Sequence, residues 1–312
     1  MFSESQVYLA PMEGVVDHLM RDMLTRLGGF DYCITEFVRV VEQLLPEKTY
    51  YRICPELRFG AKTPSGTPVR VQLLGQHPEW LAENAARAVD LGSPGIDLNF
   101  GCPAKTVNTS KGGAVLLKTP DVLYEIVTAV RSAVPKDQAV SAKIRLGFDD
   151  KALALENAYA IQQAGANLLT VHARTKVEGY KPPAYWEWIA KIRQVIDIPV
   201  IANGEIWSKS DAERCVEQSN TPHLMIGRGA LALPNLAACI KFNQNPMQWA
   251  EVKQLLIDYS GYEIFGDKGR YYPNRIKQWL GYMKRQYSEA EVLFNDIRRL
   301  QSANEIVQVL RH

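Results

Sequence analysis

Gly95-Ile96-Asp97-Leu98-Asn99-Phe100-Gly101-Cys102-Pro103 joins a short strand-like run, Gly95 to Leu98, directly to a polar turn that carries a single cysteine. A buried parallel strand ends this way, with a brief run followed by residues that face an opening. Seven other runs lie on either side of it: Val7 to Ala10, Tyr32 to Thr35, Val69 to Leu73, Val140 to Ile144, Leu168 to Val171, Pro199 to Ala202 and Leu224 to Ile226. Segments of helical period separate them, at Glu79 to Val89, Asp121 to Ala133, Ala152 to Ala164, Trp186 to Ile196 and Ser208 to Gln218. The last opens with a Ser-x-x-Asp capping pattern, and Gly92 and Gly165 stand where helix C-caps precede the next run. Eight strands alternating with helices close a barrel. The expected fold is therefore α/β, a (β/α)8 TIM barrel over residues 1–243.

Beyond Phe242 the pattern changes. Asn243 to Pro246 reads as a linker, and only helical periodicity follows. Residues 244–312 are expected to form a C-terminal all-helical domain, in which Ile276, Trp279, Leu280, Met283 and Tyr287 share one apolar face.

Composition sets limits without naming a function. Apolar residues make up 46% of the 312-residue chain and charged residues 22%, an ordinary globular balance. The net charge of +2 is too small to announce a nucleic-acid binder, so any such contact needs a local concentration of Lys and Arg. Five widely spaced cysteines, without a Cys-x-x-Cys pair, argue against a disulfide framework and against a bound metal. Nothing approaches the roughly 18 apolar residues of a membrane span, and the N-terminus has no targeting pattern. The expectation is a cytoplasmic protein with no membrane association, acting as a monomer.

In a barrel of this kind the chemistry sits where the strands end. The residues there are polar and specific: Pro11-Met12-Glu13, Gln72, Asn99, Lys143 with Arg145, His172 with Arg174, Asn203-Gly204-Glu205 and Gly227-Arg228. Glycine turns after the last two strands, with the Arg228 guanidinium, suit a phosphorylated ligand. Turns of that kind can also serve backbone geometry alone. Lys143 fits a cation beside an electron-rich cofactor ring, with Gln72 and His172 adding hydrogen bonds, or a structural charge with a carboxylate partner. Cys102 projects over the barrel mouth and can donate a proton, whereas Cys33, Cys215 and Cys239 read as inert core thiols.

Taken together, Ala10-Pro11-Met12-Glu13-Gly14, Asn99-x-Gly101-Cys102-Pro103, Lys143-x-Arg145, His172-x-Arg174-Thr175, and Asn203-Gly204-Glu205 with Gly227-Arg228 resemble the tRNA-dihydrouridine synthase family over nearly the whole chain. Thr35-Glu36-Phe37-Val38-Arg39 and Arg275-Ile276-Lys277-Gln278-Trp279 resemble the bacterial C branch of that family, which acts on uridine 16 of the D-loop. The resemblance implies FMN over the barrel mouth, contacted by Pro11, Met12, Glu13, Gln72, Lys143, His172, Asn203, Gly204, Glu205, Gly227 and Arg228. It implies NADPH or NADH as reductant, hydride addition to C6 of the uracil, and Cys102 as the acid that protonates C5. Asn99 and Arg145 would hold the base. Phe100 and Glu205 depart from the commoner residues at their positions, and neither removes a reacting group.

Between Lys268 and Arg299 eight basic residues (Lys268, Arg270, Arg275, Lys277, Lys284, Arg285, Arg298 and Arg299) face three acidic ones, a local charge of +5. A charged helix surface is often only solvated. Here Arg275 and Tyr282 stand seven residues apart, a spacing that suits phosphate contact with stacking on an unpaired base. Lys277 and Arg298 extend that surface, and Arg39 and Tyr180 are expected to meet tRNA from the barrel side. Two other readings remain. One is an FMN barrel oxidoreductase acting on a small molecule such as a free pyrimidine, for which the basic tail has no use. The other is an RNA-binding protein without catalysis, which would have no need of the strand-end residues.

Overall fold

The structure, a computed structural model, describes residues 2, 4–109, 111–264 and 271–311. Its strands are β1 (Val7–Leu9), β2 (Tyr32–Arg39), β3 (Val69–Leu74), β4 (Ile96–Phe100), β5 (Val140–Arg145), β6 (Leu168–His172), β7 (Val200–Asn203) and β8 (Leu224–Ile226). Each pairs in parallel with its neighbour in sequence, and β8 returns to β1 to close the barrel. Every expected run is a strand. Only β2 departs much from its expected bounds, running on to Arg39 because its register with β3 slips between Ile34 and Phe37. Such a bulge re-aims the strand and hides its continuation from a simple pattern.

The helices are α1 (His18–Arg26), α2 (Glu47–Ile53), α3 (Pro78–Asp90), α4 (Lys105–Thr109), α5 (Pro120–Ala133), α6 (Ala154–Gln163), α7 (Trp186–Arg193), α8 (Lys209–Ser219), α9 (Arg228–Ala232) and α10 (Leu236–Phe242). After them come α11 (Trp249–Ile264), α12 (Tyr272–Met283), α13 (Ser288–Ile297) and α14 (Ala303–Arg311). Their starts follow local chemistry. Proline at the first helical turn opens α3 and α5, and the Ser208 side chain accepts from the Asp211 amide at 3.1 Å to cap α8. On α5, Leu123, Ile126, Val127 and Val130 recur at helical spacing and are fully buried, each worth roughly 1.5–3 kcal/mol of burial. A charge at Val127 would break that face.

The barrel interior divides into two unlike halves. Tyr8, Ala10, Ile34, Ile201 and Met225 form one apolar cluster inside β1, β2, β7 and β8. Facing them, β3, β4 and β5 bury Arg70, Gln72, Asp97, Asn99 and Ser141, none more than 9% exposed. The register pairs Gln72 with Asp97, Asp97 with Ser141, and Asn99 with Lys143, so these polar groups lie side by side. Burial of so many polar atoms is tolerable only because they bond one another.

The last helices pack back onto the barrel through α12. Ile276, Trp279, Leu280 and Met283 are buried, and the Trp279 indole donates to the Leu231 carbonyl at 3.1 Å. Tyr287 is buried as expected but lies beyond α12, at the N-cap of α13. No described helix is long and apolar enough to cross a membrane.

Candidate active site

The C-terminal ends of the strands surround a cavity of about 510 Å³, in the range of a small-molecule or cofactor site. The turn after β1 contributes Pro11, Met12 and Glu13, and β3 to β5 contribute Gln72, Asn99, Cys102 and Lys143. His172, Tyr180, Asn203, Gly204 and Glu205 line the next sector, and Gly227, Arg228 and Tyr282 complete it. Residues more than 200 positions apart therefore converge because each ends a parallel strand or the turn beyond it.

Cys102 is held by its turn. The Asn99 Oδ1 accepts from the amides of Gly101 at 3.0 Å and Cys102 at 2.9 Å, while Asn108 donates to the Cys102 carbonyl at 2.9 Å. Gly113 closes on it from behind. Its φ is +66°, and a Cβ there would lie 2.9 Å from the Cys102 carbonyl oxygen. Burial pushes the Cys102 thiol pKa up, with Glu13 adding to the rise, so the sulfur carries its proton at neutral pH. The other four cysteines lie in the main hydrophobic core.

Lys143 donates to the Asn203 Oδ1 at 3.2 Å. Burial, reinforced by the Arg145 charge, brings its pKa down to about 8. His172 is held well below its ordinary range by burial and by Arg145, Lys143, Arg174 and Arg228, so its ring is neutral. The Arg174 guanidinium contacts the His172 Nε2 at 3.4 Å and pairs with Glu205. Gly204, at φ +116°, allows the ring to approach, since a Cβ would stand 2.8 Å from the His172 Cδ2.

Not every expected contact faces the cavity. Arg145 is 2% exposed, and its guanidinium donates to the carbonyls of Gly101 at 2.9 Å, Thr175 at 3.0 Å and Gly179 at 2.9 Å. It braces the wall from outside. The Glu205 carboxylate is spent on Arg174, on the Trp207 indole at 2.8 Å and on Arg228 at 3.6 Å. The Arg228 guanidinium sits between two rings, 4.8 Å from the Tyr180 centroid and 4.9 Å from that of Trp207. Trp207 also lies under Arg285 at 4.0 Å, a contact between the barrel rim and the turn after α12. Trp207 was not singled out by sequence, although it stands two residues beyond the Gly204-Glu205 turn. Phe37, which the bulge in β2 delivers to the cavity, was also missed as a lining residue.

The expected basic surface is partly engaged. Arg275 donates to the carbonyls of Gly14 at 2.9 Å and Val15 at 3.2 Å and pairs with Asp17 at 3.0 Å. Lys277 donates to the Leu300 carbonyl at 2.5 Å. Arg39 and Arg298 are exposed, and Lys268 and Arg270 lie outside the described residues.

A closed parallel barrel whose strand C-termini surround a cavity bordered by Gln72, Asn99, Lys143, His172 and Arg228 has the form of a (β/α)8-barrel enzyme. The chain belongs to the dihydrouridine synthase (Dus) family, whose pattern it matches over residues 8–311. It is 58% identical over 305 residues to the tRNA-dihydrouridine(16) synthase of Shewanella oneidensis, covering 98% of this chain and 97% of that one. The proteins of the same name from Vibrio vulnificus and Escherichia coli are 55% and 54% identical, each across 98% of this chain and at least 97% of theirs. Two solved structures share the fold at low identity. A variant of NCR from Zymomonas mobilis matches with a TM-score of 0.55 at 14% identity over 80% of this chain and 91% of that one. TcOYE with pHBA matches with a TM-score of 0.54 at 13% identity over 78% and 90%.

Proposed function

We propose that this enzyme reduces the C5–C6 double bond of uridine 16 in the D-loop of tRNA, with FMN as cofactor and NADPH or NADH as reductant. The observation that carries the reading is that Cys102, alone of the five cysteines, lines the cavity, with its proton held on sulfur and in the turn after the strand that pairs with the one carrying Lys143. The name shared by relatives at 54–58% identity supports the position of the uridine.

The cavity fits FMN by its donor set. Lys143, Gln72 and His172 suit the polar edge of a flavin ring, Pro11, Met12 and Glu13 a flank, and the turns at Asn203-Gly204 and Gly227-Arg228 a phosphate. Bound FMN would supply a hydride to C6 of the uracil. Negative charge then develops on C5 and the C4 carbonyl, and the Cys102 thiol delivers a proton to C5, so hydride and proton together saturate the bond. Burial holds that proton on sulfur until the charge appears. Asn99 borders the base, and the wall braced by Arg145 keeps the thiol in place. The uracil must leave the folded tRNA to reach this depth.

Residues 244–312 supply the RNA-facing unit in this reading, with Arg39, Tyr180, Tyr282 and Arg298 towards the nucleic acid. Arg275 and Lys277 support that surface through the backbone contacts they make. The test is to incubate purified enzyme with NADPH and tRNA lacking dihydrouridine and to map reduced uridines by mass spectrometry. Reduction at position 16 alone is expected. Reduction elsewhere would overturn the position, and none despite bound FMN would overturn the substrate.

A further inference from the structure

A buried chain of hydrogen bonds crosses the barrel interior from its floor to the turn of Cys102. Arg70 Nη1 donates to the Ser141 hydroxyl at 3.2 Å, and that hydroxyl donates to the Asp97 Oδ1 at 2.6 Å. From the other side the Gln72 Nε2 donates to the Asp97 Oδ2 at 2.7 Å, and the Asn99 Nδ2 donates to the Gln72 Oε1 at 2.8 Å. The Asn99 Oδ1 is thereby left to accept from the amides of Gly101 and Cys102. Asp97 is 1% exposed, and Gln72 and Ser141 are fully buried.

We propose that Asp97 is a positioning residue for the protonation step, acting through Gln72 and Asn99 to fix the turn that carries Cys102. A primary amide can turn over, exchanging its oxygen for its nitrogen, at little cost in shape. Both Asp97 oxygens accept, Oδ1 from Ser141 and Oδ2 from Gln72, so Asp97 admits one orientation of Gln72, with nitrogen inward and oxygen outward. That oxygen in turn admits one orientation of Asn99. With both amides reversed, the Asn99 nitrogen would meet the backbone N–H groups of Gly101 and Cys102, three donors without an acceptor between them. Each hydrogen in the chain points towards Asp97, so the bonds polarise one another in the same sense. Burial pushes the Asp97 carboxyl pKa up, and the hydrogen bonds from Gln72 and Ser141, with the Arg70 and Lys143 charges, oppose that rise.

This inference rests on the proposed reduction, but its first readout does not. Alkylation of Cys102 by iodoacetamide, followed by peptide mass spectrometry on the flavin-loaded enzyme, reports the turn directly. In Asp97→Ala the Cys102 alkylation rate is expected to rise severalfold. The rate at which reduced enzyme transfers hydride to tRNA should fall on the order of tenfold to a hundredfold. Reduction of the flavin by NADPH should fall much less, since Gln72 is one of several groups placed at the flavin edge. Asp97→Asn can still offer an oxygen to Gln72 while its nitrogen faces Ser141, and is expected to recover most of the transfer rate. Unchanged alkylation in Asp97→Ala, or an equal decline in both half-reactions, would overturn the proposal. If Asp97→Ala does not fold, Gln72→Met cuts the chain at its middle, and an unchanged Cys102 alkylation rate there is equally fatal. Wild-type enzyme inactive on tRNA would refute the substrate assignment instead, while leaving the alkylation result to decide the relay.

Discussion

Arg275 on α12 pairs with Asp17 at the N-cap of α1, 3.0 Å apart, and the same guanidinium bonds the carbonyls of Gly14 and Val15. The clamp joins the last helices to the turn that follows Pro11, Met12 and Glu13. Arg275→Ala is therefore expected to weaken FMN retention severalfold, at a cost of about 1–3 kcal/mol for the lost charged hydrogen bonds. Titration of the cofactor-free protein by flavin fluorescence measures it. Unchanged FMN affinity with a shallower salt dependence of tRNA binding would instead make Arg275 a phosphate contact.

Lys143 titrates near 8, low because burial disfavours its charge and Arg145 repels it. Below that pH the ammonium is present, and above it the group is neutral. FMN affinity should accordingly fall as pH rises through about 8, and Lys143→Met should flatten the dependence. Equilibrium binding from pH 6 to 10 checks the sign; affinity that rises with pH contradicts it.

Gly113 stands against Cys102 with no room for a side chain. Gly113→Ala must displace the cysteine turn or strain its own backbone at φ +66°, at a cost of about 1–2 kcal/mol from the backbone alone. Uridine reduction should drop by an order of magnitude or more while FMN stays bound, since misplacement of about 1 Å is that costly. Full activity in a folded Gly113→Ala enzyme would show that the turn yields freely.

Arg21 and Glu56 form a buried two-armed pair, with Nε to Oε1 at 2.8 Å and Nη2 to Oε2 at 2.9 Å. Burial opposes the charge on Glu56, but the Arg21 guanidinium prevails and holds its pKa below the ordinary value. The pair's contribution is present above the unfolded carboxyl pKa and is lost as pH falls through the lower folded one. Glu56→Gln leaves Arg21 buried without its counter-charge and should cost about 3–5 kcal/mol. Urea unfolding at neutral pH measures it, and a loss under about 1 kcal/mol would show that the carbonyls of Val16 and Ile53 suffice for Arg21.

The barrel was legible because each strand is a short apolar run closed by a turn, and because the residues closing those runs had to face one mouth. The limits of that reading are physical. Asp97, Ser141 and Arg70 interrupt runs that pattern alone treats as apolar, yet they build the polar half of the interior. Arg145 and Lys143 differ by two positions on β5, a separation that keeps both on one face but says nothing of depth. Lys143 reaches the cavity, while the longer guanidinium folds behind the wall to three carbonyls. Arg275 looked like a surface cation by spacing, and only tertiary packing across 260 residues reveals its carbonyl partners.

The most direct test of Cys102 as the acid is a single turnover without oxygen. Enzyme carrying reduced flavin is mixed with tRNA lacking dihydrouridine, and flavin reoxidation is followed by absorbance alongside product mapping. The account predicts that Cys102→Ala binds flavin and tRNA normally but slows both signals by about 10²–10⁴. Reoxidation at the wild-type rate, with dihydrouridine formed, would contradict it.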